Sequence, residues 1–250
     1  MPNGTQQRFE PYVLLDEQWR DVTGGGRPDL VRLIGHRTDP ERVYYEHVYV
    51  QVFPNAERTA RPPSIPGQPS TPSAQQPLSI RFAGGYEPKM QFCDFSGDSI
   101  ADVYVSMATG GSGGIGDFYL ATFAGNVARQ LPVPPPLTIS GRFLDDYKVL
   151  IEVKETGQKT VIDVSDKKAQ YDSEGLYRNG KLLKPTTILP NAYSTLEPID
   201  RNRNGICELR GIQRIAGAYN ADTIAYVISV WGYERVRRRW ALLRSIIREN

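Results

Sequence analysis

The chain predicts an all-β fold assembled from a repeated unit, and three observations carry that expectation. Gly (23), Pro (19) and Tyr (14) are abundant, a balance that suits turns and strands more than long helices. One acidic frame recurs three times, as "DVTGGGRPDLV" (21–31), "DFSGDSIADVY" (94–104) and "DRNRNGICELR" (200–210). Each copy leads into two strand-like runs rich in Val, Ile, Tyr and Phe, separated by a polar or glycine-rich turn.

The units follow in order. After Asp29 comes "LVRLIG", the turn "HRTDPER" and "VYYEHVYVQVF". After Asp102 comes "VYVSMAT", the turn "GGSGGIG" and "DFYLATF". After Glu208 comes "LRGIQRI", the turn "AGAYNAD" and "TIAYVISVW". A weaker fourth unit without an acidic loop lies between Gly141 and Pro190, where "RFLDDYKVLIEV" and "TVIDVSD" flank "KETGQK" and Asn179-Gly180 marks a tight hairpin. At the C-terminus, Val236, Trp240, Leu243 and Ile247 fit a helical stripe, while "ERVRR" reads as a turn. The preceding strand needs a pairing partner, which favours a last hairpin.

Two segments punctuate these units. Residues 54–77 hold seven prolines among Ser, Gln and Ala, a composition that biases the chain towards extended polyproline conformations and cannot form a core. They are expected as an exposed inserted loop, with a docking strap as the functional alternative. "LPVPPPL" (131–137) is a shorter linker. The whole is expected to be a single β-repeat domain over 1–250.

Charge and hydropathy exclude several classes. A net charge of +2 gives no global attraction to nucleic acid, and no apolar run reaches the roughly 18 residues of a membrane span. The opening "MPNGTQQRFE" lacks the apolar core of a signal peptide.

The acidic frame reads D-x-[STN]-x-[DNG]-x-x-x-[DE]-[LV]. Oxygen donors at positions one, three and five, a carbonyl at seven and a carboxylate at nine can wrap one hard cation. Ca²⁺ accepts six to eight oxygens at about 2.3–2.6 Å, and the absence of His and Cys from these positions argues against zinc. The expected Ca²⁺ ligands are Asp94, Ser96, Asp98, Ile100 (carbonyl) and Asp102 in the second loop. In the third they are Asp200, Asn202, Asn204, Ile206 (carbonyl) and Glu208. In the first they are Asp21, Thr23 and Asp29, with Gly25 supplying no side chain. The alternative for each is an Asx-rich turn that binds nothing.

This frame, followed by a strand, resembles the calcium loops of FG-GAP/VCBS repeat proteins, which include bacterial secreted or surface domains and integrin α-type propellers. "DRNRNGICELRGIQRIAGAYNADT" is similar to small secreted or spore-associated proteins of Gram-positive bacteria. Departures are Gly25 at the fifth position, Arg203 at the fourth and Ser99 at the sixth. The resemblance implies a β-propeller-like domain in which Ca²⁺ stiffens each blade.

The remaining motifs carry less. His36 and His47 fit ordinary turn and sheet positions. "GGSGGIG" joins two strands where a phosphate loop would open a helix. Asp145 and Asp146 are adjacent on a strand, so they point to opposite faces and make no acid/base pair. "ERVRRRW" can attract phosphate or polyanionic glycan but reads more simply as a solvated basic turn. Cys93 and Cys207 are expected as two free, partly buried thiols, with a disulfide as the alternative.

The expected function is a non-enzymatic, calcium-binding β-repeat domain of an exported or surface protein, extracellular or at a cell or spore surface, mediating interaction or assembly. It would bind a protein or glycan surface ligand, with self-assembly possible. The competing readings are a structural subunit of a spore or filament surface and a carbohydrate-active enzyme on a propeller scaffold.

Overall fold

The computed structural model describes residues 11–56 and 76–250. Its strands are mostly antiparallel, and its only α-helix among the described residues is the six-residue α1 (Lys168–Ser173). The all-β expectation therefore stands. Most of the Pro-rich stretch at 54–77 lies outside the described residues, and its strap role with it.

A seven-stranded sheet follows chain order. Its strands are β1 (Tyr12–Arg20), β2 (Asp29–His36), β3 (Tyr44–Phe53), β4 (Leu78–Cys93), β5 (Asp102–Ala108), β6 (Gly116–Thr122) and β7 (Arg129–Leu131). Three further sheets complete the order. One holds β8 (Ile139–Leu144), β9 (Lys148–Val153) and β10 (Gln158–Asp163). A two-stranded hairpin pairs β11 (Tyr177–Arg178) with β12 (Lys181–Leu182). The last holds β13 (Leu189–Ile199), β14 (Glu208–Ala216), β15 (Thr223–Glu234) and β16 (Arg239–Glu249).

Among the described residues these sheets form neither a closed barrel nor a propeller, which corrects the propeller-like expectation. The physical reason is that each new hairpin of the first half adds to the edge of the same sheet, where a propeller would start a fresh four-stranded blade. Where the sequence suggests one domain over 1–250, the chain divides into two compact units. One is built on β1–β7 and takes in residues 202–206; the other is built on β8–β16.

In the first unit, alternation along the strands builds the core. Val31 and Leu33 of β2, Val48, Val50 and Val52 of β3, and Val103 and Val105 of β5 are fully buried, with Phe82, Met90 and Phe123 packed among them. β2 is buried on both faces, so its Arg32 needs a partner, and the Glu17 carboxylate accepts from its Nε at 2.8 Å.

The second unit relies more on aromatic side chains. Phe143, Tyr147, Tyr171 and Tyr177 form a ring cluster with neighbouring centroids 4.6–6.5 Å apart. Burial raises the Tyr177 hydroxyl to about 12, and that hydroxyl donates to the Leu144 carbonyl at 2.6 Å. The expected Asn179-Gly180 turn is present: both residues have positive φ, 52° and 78°, and they link β11 to β12. The C-terminal segment resolves as the β15–β16 hairpin, paired from Ala225↔Glu249 to Glu234↔Arg239.

Candidate functional site

The three acidic loops share a backbone conformation. Positions four and six adopt positive φ in every copy: Gly24 and Gly26 (81° and 73°), Gly97 and Ser99 (71° and 67°), Arg203 and Gly205 (55° and 83°). Glycine suits four of these six places because the left-handed region crowds a Cβ. The repeat seen in the sequence is therefore a repeat of backbone geometry.

The carboxylates serve that geometry. In the first loop Asp21 accepts from the amides of Gly24, Gly25 and Gly26 at 2.7, 3.2 and 2.7 Å. In the second, Asp94 accepts from Gly97, Asp98 and Ser99 at 2.6, 3.2 and 2.8 Å. The ninth position closes each loop from the other side. Asp29 accepts from the amides of Val22 and Thr23 and from the Thr23 hydroxyl, each at 3.0 Å. Asp102 accepts from the amides of Phe95 and Ser96 at 3.0 Å. Asp98 also accepts from the Ile100 amide, and Asn204 repeats that contact with Ile206. In the exposed third loop Glu208 accepts from the Arg201 amide at 3.2 Å.

Seven of the residues expected as calcium ligands, Asp21, Asp29, Asp94, Asp98, Asp102, Asn204 and Glu208, are thus acceptors for the loops' own amides, while the buried Ser96 hydroxyl has no hydrogen-bond partner among the described residues. Like charges come close here because Asp21 and Asp94 each face three N–H donors, and Asp29 and Asp102 two backbone amides each. Among the described residues no group of three or more His, Cys, Asp or Glu side chains is placed to hold a metal ion, which corrects the calcium-binding character expected of the loops. The physical reason lies in the spacing, since oxygens at positions one and nine cap backbone amides as readily as they would wrap an ion.

The isoleucines expected to lend carbonyls do something else as well. A Cβ placed on Gly24 would lie 2.5 Å from Ile100 Cδ1, and one on Gly97 would lie 3.8 Å from Ile206 Cδ1. In the second and third loops the seventh residue thus covers the fourth residue of the loop before it. Ile206 also forms an isolated parallel bridge with Asp94. All these residues belong to the first unit, so the loops stack in sequence order.

A prediction follows for Gly24. Gly24→Ala should cost about 1–2 kcal/mol, because the substitution strains a left-handed residue and presses on Ile100. Gly26→Ala, with positive φ but no atom within 4 Å of its Cβ, should cost less. Urea unfolding of both variants measures the difference, and equal costs would show that the isoleucine contact is idle.

Electrostatics single out Asp102. It is fully buried, and burial raises its carboxyl from the ordinary 3.8 to about 6, against the lowering effect of the Ser96 and Phe95 amides.

Other sequence candidates are placed differently from expectation. Cys93 and Cys207 are both disulfide-bonded and no free thiol remains, which corrects the preference for free thiols. Cys93 precedes Asp94 and Cys207 follows Ile206 in the sequence. Asp145 and Asp146 lie in the β8–β9 turn instead of on a strand, and Asp145 pairs with Lys181 at 2.8 Å. His36 ends β2 and faces His47 of β3 across the ladder. The glycine-rich 110–116 joins β5 to β6 as expected.

One cluster was not anticipated. Asp222, read from sequence as a turn residue, is 2% exposed. It accepts from Lys167 Nζ at 2.8 Å, from the Tyr171 hydroxyl at 2.7 Å and from the Ala218 amide at 3.0 Å. Burial first, and then its bond to Asp222, holds the Tyr171 hydroxyl far above the ordinary tyrosine range. The cluster ties the residues around α1 to the β14–β15 turn. Its sequence signal, an Asp after "AGAYNA", does not differ from that of a solvated turn.

Comparison with known proteins finds a likeness other than the one the loops suggested. Residues 137–247 match the family model of the YybI C-terminal domain, a span that holds β8–β15, α1 and the Asp222 cluster. This overturns the resemblance to FG-GAP/VCBS repeats. The chain is 33% identical over 167 residues to a Bacillus subtilis (strain 168) protein described as uncharacterized protein YybI. That alignment covers 64% of this chain and 64% of the relative. No solved structure matches. What residues 137–247 are similar to is the YybI C-terminal domain.

Proposed function

We propose that this chain is a non-enzymatic β-sheet domain of an exported or surface protein, working outside the reducing cytosol in interaction or assembly. The observation that carries the reading is the oxidised state of both cysteines. Disulfides persist in oxidising compartments and are rare where glutathione and thioredoxin keep thiols reduced. The stacked loops fit the same reading. Their Asp21, Asp29, Asp94 and Asp102 carboxylates accept from backbone amides, which makes the loops rigid turns and leaves binding to other surfaces.

The test is direct. Protein taken from cells without reductant, denatured and treated with a maleimide-polyethylene glycol, should gain no label. After reduction it should gain two. Labelling of both cysteines before reduction would place the chain in a reducing compartment and remove the support for export.

A further inference from the structure

The outer face of the β13–β16 sheet has an ordered pattern that neither the loops nor the family match explains. In-register pairing sets Ile212 beside Ile228, and Ile228 beside Ile246. This aliphatic row crosses β14, β15 and β16. Two residues along the strands on one side, Arg214, Tyr226 and Arg248 are in register; on the other side so are Arg210, Val230 and Arg244. Strands lie about 4.8 Å apart and alternate residues about 7 Å apart. The isoleucine row is therefore roughly 10 Å long, with an arginine at each end of both flanking rows. The opposite face of these strands is the core side, where Leu209, Gln213, Val227 and Ser229 are buried.

The charge on this face is not cancelled. Arg210 is paired with Glu197. Arg214 donates only to neutral acceptors, the Asn220 carbonyl and side-chain oxygen and the Thr223 hydroxyl. Among the described residues no carboxylate pairs with Arg214, Arg244 or Arg248. Ile246 is 37% exposed and Leu243, on the same strand, 52%. Beyond the Arg210–Arg244 row, the exposed β15–β16 turn adds Arg237, Arg238 and Arg239; Arg237 and Arg239 share Glu234. The basic turn noted in the sequence is thus one end of a larger basic border.

We infer that this sheet face is a docking surface for an acidic protein segment that carries aliphatic side chains between its carboxylates. The inference deepens the interaction reading above and rests on it. Charge complementarity selects an acidic occupant, because three uncompensated guanidiniums frame the row. The row itself selects a protein segment over a sugar or phosphate polymer, which has nothing aliphatic to place on Ile212, Ile228 and Ile246. A bilayer is a poorer occupant. Ile212 and Ile228 are partly buried, so the apolar floor is recessed between long arginine side chains and does not project to insert.

The experiment uses the full chain with its disulfide intact and a fluorescein-labelled octapeptide of alternating Glu and Leu. Fluorescence anisotropy should show saturable binding that weakens as salt rises, as expected for charges that are still partly solvated. Arg244→Glu with Arg248→Glu, both exposed on the sheet's last strand, should weaken it by more than about tenfold, and Ile246→Ser by a smaller factor. A labelled octaglutamate should bind markedly less well. Absence of peptide binding would overturn the inference, as would indifference to the charge reversal or equal affinity for octaglutamate. So would binding to phosphatidylglycerol vesicles in place of the peptide. Circular dichroism confirms that each variant is folded. Failure here leaves the maleimide result untouched, so the docking face and the exported state are judged separately.

Discussion

Asp222→Ala is expected to remove about 3–5 kcal/mol from the unfolding free energy, the cost of breaking a buried ion pair by deleting one partner. The Asp222 side chain is 1% exposed and Lys167 is 20% exposed. Loss of the carboxylate leaves an ammonium with little water around it and a Tyr171 hydroxyl with no acceptor. Tyr171 is fully buried, and an unsatisfied buried hydroxyl alone costs about 1–3 kcal/mol. The Ala218 amide loses its acceptor too. Tyr171→Phe should therefore be milder, near the low end of that same 1–3 kcal/mol range, because it removes the donor along with the bond. Lys167→Met should fall between them, since the stranded carboxylate keeps two neutral donors. Guanidinium unfolding of the three variants measures this order. If Tyr171→Phe proved as costly as Asp222→Ala, ring packing and not the ion pair would hold α1 to the β14–β15 turn.

Much of the strand order was legible in the sequence, because it rests on local signals. Runs rich in Val, Tyr and Phe mark β3 and β5, Asn179-Gly180 forces its own turn, and the need for a partner after Thr223–Glu234 makes β16 a strand. The acidic repeat was legible as well, since only certain residues tolerate positive φ at two fixed positions. Its chemistry was not. Asp21 and Asp94 at the first position look the same whether they ligate an ion or cap three amides, and the difference lies in where the amides point. Closure was equally hidden. Nothing in Val103–Ala108 says whether the following strand extends one sheet or starts a blade. Long-range pairing hid the rest: Asp222 gains its two side-chain partners from residues more than fifty positions away.

Asp102 makes the loop chemistry measurable through pH. Its carboxyl is raised from 3.8 to about 6 in the folded protein, with burial as the main cause. Between these values the native state holds a proton that the unfolded chain has lost, so stability falls as pH rises. The contribution is fully present below about pH 4 and gone above about pH 6. A rise of roughly two units corresponds to about 3 kcal/mol. Asp102→Asn should abolish this part of the pH dependence while its carbonyl oxygen still accepts from Phe95 and Ser96. At pH 7.5 the variant should match or exceed the wild type, offset by the cost of burying an amide, about 1–3 kcal/mol on mutational scales. Below pH 4 the wild type should regain its advantage. Thermal unfolding of both proteins across pH 3.5–8 isolates the residue, because all other carboxylates are common to the pair. The same scans in chelator and in millimolar Ca²⁺ give the opposing outcome a clear form. An ion neutralising Asp102 would raise the wild-type midpoint at pH 7.5, spare the Asn variant and reverse their order. Coincident scans with and without Ca²⁺, together with a slope between pH 4 and 6 that the substitution removes, would leave the carboxylate as a buried cap for two amides.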